Sequence, residues 1–311
     1  MNHCSFLIFI CLLSYTVSQY QDVSLPGQVG DQHNFSALKK MFSFTVSIQN
    51  LEARLHICVG TVITALHVLT VCHCTGEFYN ALDFKPFNIS TLVVVGGDVS
   101  AGRGQARLIR EMHRHEKCDD LGFGYSHDYG LLVLKEKFFL TDSLRAISIR
   151  QADMELIKHK TFNVTDKQNC YVASWGEQRI PETNHKIFTI VKIFDITLLT
   201  FEECEAALCK SPKWRCIHNL QDRKQICGLG KNGDVCRGDS GSPLLCSNYI
   251  YGMVAWGPTC GEMSYPSVYA NMYEGLRWSK RLLQNSGTPG VRKAKLILSI
   301  VLHTFLRLKI F

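Results

Sequence analysis

Short apolar or alternating runs recur along most of this chain, at Phe44–Gln49, Thr61–Leu69, Thr91–Val95, Leu131–Leu134 and Lys186–Ile196, each closed off by Gly, Asn, Asp or Pro. A run that changes polarity at every second residue buries one face of a strand, and a brief continuous apolar run buries both. The pattern predicts an all-β protein of packed barrels or sandwiches. Near the end the period changes. Met272, Leu276 and Leu283 recur at helical spacing in Asn-Met-Tyr-Glu-Gly-Leu-Arg-Trp-Ser-Lys-Arg-Leu-Leu, which predicts a C-terminal α-helix packed on the sheets.

The two ends differ from this body. Residues 1–18 hold an apolar stretch from Cys4 to Val17, with Thr16 and Ser18 suited to a signal-peptidase site, and read as a secretory signal too short to span a membrane. Residues 286–311 follow the break Asn285-Ser-Gly-Thr-Pro-Gly with a basic spacer and the apolar stretch Leu296 to Leu306. Three readings stand for this tail: a lipid-anchor signal attached at Ser286, Gly287 or Thr288, a basic amphipathic helix lying on a membrane, or an extension without function. His303, Arg307 and Lys309 weigh against the first.

With 311 residues, 46% hydrophobic and 20% charged, the chain can bury one large core or two modest ones. The net charge of +7 misleads, because Arg292, Lys293, Lys295, Arg307 and Lys309 crowd the tail without an acid. The remaining body is nearly neutral, which excludes a broad basic surface for nucleic acid. Fourteen cysteines, two of them (Cys4 and Cys11) in the signal, point to disulfides and an oxidising compartment. Asn34, Asn88 and Asn163 begin glycosylation sequons, consistent with a secreted glycoprotein.

Residues 236–246 read Cys-Arg-Gly-Asp-Ser-Gly-Ser-Pro-Leu-Leu-Cys. Small residues around Ser240 let the backbone turn sharply, and the N–H groups of Gly238 and Ser240 become candidates for an oxyanion hole. A serine hydroxyl needs a base within hydrogen-bond reach and a third group to orient that base. His73, in Leu-Thr-Val-Cys-His-Cys, and Asp128, in His-Asp-Tyr-Gly-Leu-Leu-Val-Leu, are the candidates.

With these motifs in the order His, Asp, Ser, the chain resembles the trypsin-like, chymotrypsin-fold serine proteases from about Phe42 to Gln284. The resemblance implies two six-stranded antiparallel β-barrels, roughly 42–155 and 156–270, with the active site between them. It makes 42–285 the protease domain and 19–41 a pro-like segment. It implies that Ser240 attacks, His73 carries the proton and Asp128 orients the imidazole, with no metal or organic cofactor. It also implies the bridges Cys58–Cys74, Cys170–Cys246, Cys204–Cys227 and Cys236–Cys260. Four cysteines remain, and an even count favours Cys72–Cys118 and Cys209–Cys216 over free thiols.

In that family the residue six before the nucleophile lies at the bottom of the primary specificity pocket. Here it is Asp234, which implies cleavage after Arg or Lys in protein or peptide substrates, and inhibition by protein protease inhibitors. Trp256 and Gly257 match the edge on which a substrate pairs as an extra strand. Ser267 stands where the family has glycine, so its side chain intrudes and can hydrogen-bond Asp234. Ala255 replaces a serine that helps hold the catalytic Asp, and Ser242 replaces a glycine.

Family members mature by a cut after Arg or Lys that frees an ammonium to pair with the Asp before the nucleophile, here Asp239. The nearest match is Gln28-Val29-Gly30-Asp31, and no Arg or Lys lies between the signal and Lys39. Three accounts stand: cleavage before Val29 by a protease of other specificity, an internal cation such as Lys39 or Lys40, or an oxyanion hole that forms poorly. The expected function is a secreted or surface-attached serine endopeptidase. The alternative is a weak or inactive homologue that binds or regulates in an extracellular cascade.

Overall fold

The computed structural model describes residues 42–80, 83–98, 100–120, 122, 124–147, 150–162, 164, 167–176, 191–210, 216, 219–257 and 263–285. Residues 1–41 and 286–311 fall outside these, and with them the signal, the pro-like segment, the tail and Asn34. Asn163 also lies outside the described residues.

In the first half the strands are β1 (Thr45–Asn50), β2 (His56–Thr64), β3 (His67–Thr70), β4 (Gly76–Phe78), β5 (Phe84–Pro86), β6 (Leu92–Gly96), β7 (Gln105–Arg114), β8 (Asp119–Asp120), β9 (Tyr125–Ser126) and β10 (Gly130–Leu134). The second half supplies β11 (Gln168–Ser174), β12 (Lys192–Leu198), β13 (Gln225–Gly230), β14 (Pro243–Cys246), β15 (Tyr249–Trp256) and β16 (Ser267–Asn271). Six of the first set close a barrel in the order β1-β2-β3-β10-β7-β6, and the second set closes another as β11-β12-β13-β16-β15-β14. All pairings are antiparallel, as the alternating pattern requires. Two short hairpins, β4 with β5 and β8 with β9, stand off the first barrel.

Inward positions explain the closure. Along β12 the buried side chains are Phe194, Ile196 and Leu198, every second residue, and they meet Val172, Ile226, Leu244 and Tyr269 from neighbouring strands. In the first barrel Val46, Ile48, Val62, Leu69, Ile109 and Leu131 are at most 1% exposed. Each such side chain contributes on the order of 1.5–3 kcal/mol by leaving water. Between the barrels, Val59 of β2 packs with Ala101 and with Trp175, which follows β11.

Three local readings differ from expectation. The run Thr61–Leu69 is two strands, because Thr64 Oγ1 accepts the N–H of Leu66 and the chain reverses so that Thr64 faces His67. The run at Lys186–Ile196 becomes strand at Lys192, and residues 177–190 lie outside the described set. Two helices, α1 (Gln151–Phe162) and α2 (Phe201–Leu208), have no counterpart in the strand pattern. A signal for α2 was present in Thr200 and Glu203, which form a reciprocal capping box. The terminal helix α3 (Met272–Asn285) buries Met272, Leu276 and Trp278, whereas Leu283 is only half-buried.

Among the described residues five disulfides are complete: Cys58–Cys74, Cys72–Cys118, Cys170–Cys246, Cys204–Cys227 and Cys209–Cys216. Cys236 is disulfide-bonded, while its expected partner Cys260 lies outside the described residues. Of these bridges, Cys72–Cys118 closes a separation of 46 residues that carries β4 to β7. Closing a loop of that size removes chain entropy from the unfolded state worth about 2–4 kcal/mol. Replacing both cysteines by alanine is expected to lower the calorimetric midpoint by roughly 4–16 °C, at about 2–4 °C per kcal/mol for a domain of this size.

Candidate active site

The register of β3 against β10 builds the first half of the site. Thr70 faces Gly130, so continuing the same antiparallel register brings Cys72 opposite Asp128. A single 3₁₀ turn over Cys72–Cys74 then presents His73, anchored by the bridge from Cys74 to Cys58. Asp128 is 1% exposed. Its Oδ1 accepts the N–H groups of Cys72 at 2.7 Å and His73 at 3.1 Å, and its Oδ2 lies 2.9 Å from His73 Nδ1. These three donors stabilise a buried carboxylate that would otherwise be costly to ionise. Asp128 is therefore well held although residue 255 is alanine. Cys72 and Cys118, the sulfurs near this carboxylate, are bonded to each other and offer no thiolate to a metal.

Ser240 arrives from the second half on a turn between β13 and β14. Its carbonyl accepts the N–H of Val59 on β2 at 2.8 Å, and Gly241 donates to the carbonyl of Val254 at 2.8 Å. Gly241 has a φ of +86°, and a Cβ there would run into the Val59 carbonyl, so the tight turn needs glycine. His73 and Ser240 face one cavity of about 590 Å³, together with Tyr125, Arg237, Trp256 and Gly257. The ring of Tyr125 stacks on the imidazole, with centroids 4.4 Å apart and planes 11° from parallel.

Gly238 adopts a φ of +88°, and its carbonyl lies 2.8 Å from His56 Nε2. A carbonyl only accepts, so Nε2 carries the proton and Nδ1 accepts from the Ser47 hydroxyl at 2.7 Å. Burial pushes the His56 pKa down to about 4, and the bond to Gly238 pulls partly against that shift. His56 thus stays neutral and fixes the peptide beside the candidate oxyanion amides. Sequence reasoning passed over it, because 182 residues separate it from Gly238 and no local motif marks the pair.

Asp239 is fully buried and accepts N–H groups from Gly176 at 2.8 Å and Cys236 at 2.7 Å. The Ser174 hydroxyl also bonds this carboxyl. Ser242 donates to Ser174 at 2.8 Å, so the serine that replaces glycine extends this chain of hydrogen bonds. Burial raises the Asp239 pKa to about 6, while the Ser174 hydroxyl, the two amides and the charge of Lys192 draw it back. Lys192 opposes Ser174 in the β11–β12 register. The cations that the sequence offers as partners of Asp239, Lys39 and Lys40, lie outside the described residues, as do Val29 and the segment around it.

Asp234 and Ser267 are 3% and 2% exposed, and Ser267 Oγ donates to Asp234 Oδ2 at 2.9 Å. Neither lines the cavity, whose wall instead includes Val235 and Cys236. Burial raises the Asp234 pKa to about 7, against the pull of the Val235 amide and the Ser267 hydroxyl. At Gly257 a Cβ would sit 3.0 Å from Ser267 Oγ, so this serine already fills the space beside the glycine.

Comparison with known proteins agrees with this geometry. The trypsin family's sequence profile matches residues 32–279. The chain belongs to the trypsin family. Within it, the chain is 26% identical over 240 residues to trypsin 5G1 of Aedes aegypti, covering 77% of this chain and 79% of the relative. It is 25% identical to a trypsin of Pleuronectes platessa, covering 83% and 91% of the two chains. The solved structure of neuropsin, a serine protease expressed in the limbic system of mouse brain, superposes with a TM-score of 0.59 over 79% of this chain and 96% of that one, at 21% identity. At that identity the likeness speaks for the fold, the two-barrel chymotrypsin fold.

The buried ionisable groups also set the response to acid. Burial lowers His56 and His127 from 6.5 to about 4, so each takes up a proton more readily unfolded and withdraws stability as pH falls from about 6.5 to about 4. Burial raises Asp234 to about 7 and Asp239 to about 6 from 3.8, so each takes up a proton more readily folded and adds stability as pH falls toward 3.8. The two effects oppose each other across a shared window. Asp234→Asn removes one of the carboxyls, and unfolding free energies measured from pH 6.5 to 4.5 are expected to fall more steeply than in the unaltered protein, by about 1.4 kcal/mol per pH unit. Equal slopes would contradict the raised carboxyl.

Proposed function

We propose that this trypsin-family protein is a secreted serine endopeptidase that hydrolyses peptide bonds after Arg or Lys. One observation carries the reading: the His73 imidazole, bonded through Nδ1 to Asp128, faces the same cavity as Ser240. With Nδ1–H donated to the carboxylate, Nε2 keeps its lone pair for the Ser240 proton. Ser240 Oγ then attacks the scissile carbonyl, the amides of Gly238 and Ser240 receive the oxyanion, and the protonated His73 gives its proton to the leaving amine. Water repeats the sequence in reverse on the acyl-enzyme. Trp256 and Gly257, on the cavity wall, pair the substrate backbone as an added strand.

Asp234, buried next in the chain to Val235 on the cavity wall, supplies the preference for a cation, and Ser267 moderates it. A carboxyl that holds a proton up to about pH 7 attracts a guanidinium less than an ionised one, and the Ser267 hydroxyl already occupies one of its oxygens. That observation favours the second reading, a weakly active or silent homologue that binds without cutting. Secretion is supported by the disulfides and by the exposure of Asn88, whose sequon residue Ser90 donates to Asn88 Oδ1 at 2.9 Å. Among the described residues no helix is long and apolar enough to cross a membrane, and the tail invoked for anchoring lies outside them.

Incubation with a fluorophosphonate probe and short Arg and Lys esters tests the reading. Labelling of Ser240 with turnover is expected, and Ser240→Ala should lose both, with kcat reduced by roughly 10⁴–10⁶. Silence after treatment with several activating proteases would leave the binding protein. N-terminal sequencing of the mature form identifies the group that pairs with Asp239. Ser267→Gly frees one hydrogen bond of about 0.5–1.5 kcal/mol from Asp234, and kcat/KM for Arg esters should rise roughly three- to tenfold.

A further inference from the structure

The segment Arg223–Gln225 of the second half lies along Gly124–Tyr129 of the first, the stretch that carries Tyr125 and Asp128. Arg223 Nη2 donates to the carbonyls of Gly124 at 2.5 Å and Tyr125 at 3.1 Å, and Gln225 Nε2 donates to the same Tyr125 carbonyl. In the opposite direction His127 N–H donates to the Arg223 carbonyl at 3.2 Å and Tyr129 Oη to the Lys224 carbonyl at 3.0 Å. The guanidinium is 8% exposed as a residue, lies 5.8 Å from the Trp256 ring, and has Asp119 and Asp120 as its nearby acids. Asp120 is the register partner of Tyr125 across the β8–β9 hairpin, so Arg223 attracts one arm of the hairpin and hydrogen-bonds the other.

A buried cation is costly, and the carbonyls and carboxylates of one hairpin draw against that cost. What that hairpin delivers is the Tyr125 ring, stacked on His73 from the cavity side. An aromatic face favours a neighbouring cation, and His73 becomes a cation only after it takes the Ser240 proton. We propose that Arg223 is a positioning residue for the catalytic imidazole: it clasps the β8–β9 hairpin to the second barrel and seats Tyr125 against His73, so that the ring stabilises the imidazolium formed during acylation. The proposal rests on the reading of His73 as the general base, but the seating of the ring does not.

The test uses Arg223→Ala, Arg223→Gln, Tyr125→Leu, Tyr125→Phe and the double variant Arg223→Ala/Tyr125→Leu of the full chain, each compared at equal folded fraction by thermal melt. The substrate is a single-residue arginine ester with a small blocking group, which does not extend along the Tyr125 and Trp256 wall. Tyr125→Leu and an Arg223 variant should each lower kcat roughly three- to thirtyfold, the range expected of a cation on an aromatic face, with KM nearly unchanged. Tyr125→Phe, which keeps the ring, should recover most of kcat, and the double variant should be no slower than Tyr125→Leu alone. Losses confined to KM, or fully additive losses, would overturn the proposal. A readout independent of turnover is the ring-current shift of the His73 Hε1 proton in NMR: upfield in the unaltered protein and Tyr125→Phe, relaxed in Tyr125→Leu and in both Arg223 variants. A His73 resonance unmoved by Arg223→Ala and Arg223→Gln would also overturn it, whereas a shifted resonance in a protein that never labels at Ser240 would support the clasp and sink the protease reading.

Discussion

Asp128 is the point on which the site turns. A carboxylate that is 1% exposed is costly to bury without donors arranged around it, and here the donors are two backbone amides and one imidazole. The amides are those of Cys72 and His73, so the charge that orients the imidazole also fixes the turn that carries it. That mutual support exists only while β3 and β10 keep the register in which Thr70 faces Gly130. A slip of one residue would turn Asp128 to the other face of the sheet and undo both contacts. The bridges Cys58–Cys74 and Cys72–Cys118 grip the same turn from either side.

The second half meets this unit at several places, and two of these seams flank the cavity. One runs from Ser240 and Gly241 to Val59, where a backbone hydrogen bond and a glycine with positive φ let the Ser240 turn approach β2 closely. The other runs from Arg223–Gln225 to Gly124–Tyr129. Between them opens the cavity that holds His73 and Ser240. The geometry of the candidate site is therefore a property of contacts between halves as much as of any one motif.

Three further ionisable side chains are buried around the site. Asp239 is satisfied by Gly176, Cys236 and Ser174, and the last of these is supported by Ser242. Asp234 is bonded by Ser267 and lifted toward neutrality by burial. Arg223 is spent on the carbonyls of the Tyr125 hairpin. For each of them burial works against the charge, and the hydrogen bonds named here draw part of that cost back.

Much of this was legible in the chain itself. The strand periodicity marked the all-β class, the Gly-Asp-Ser-Gly turn named Ser240, and the motifs around His73 and Asp128 supplied candidates for its partners, because short-range chemistry leaves short-range patterns. The serine at 267 announced its bond to Asp234 by being out of place. What the chain could not disclose were partnerships between residues far apart in sequence and unmarked by any motif: His56 with Gly238, Lys192 beside Asp239, Arg223 under Tyr125, Tyr125 on His73. Their side chains are ordinary for strands and turns. Only closure of the two barrels, which fixes register and brings distant parts of the sequence within hydrogen-bond distance, decides that they meet.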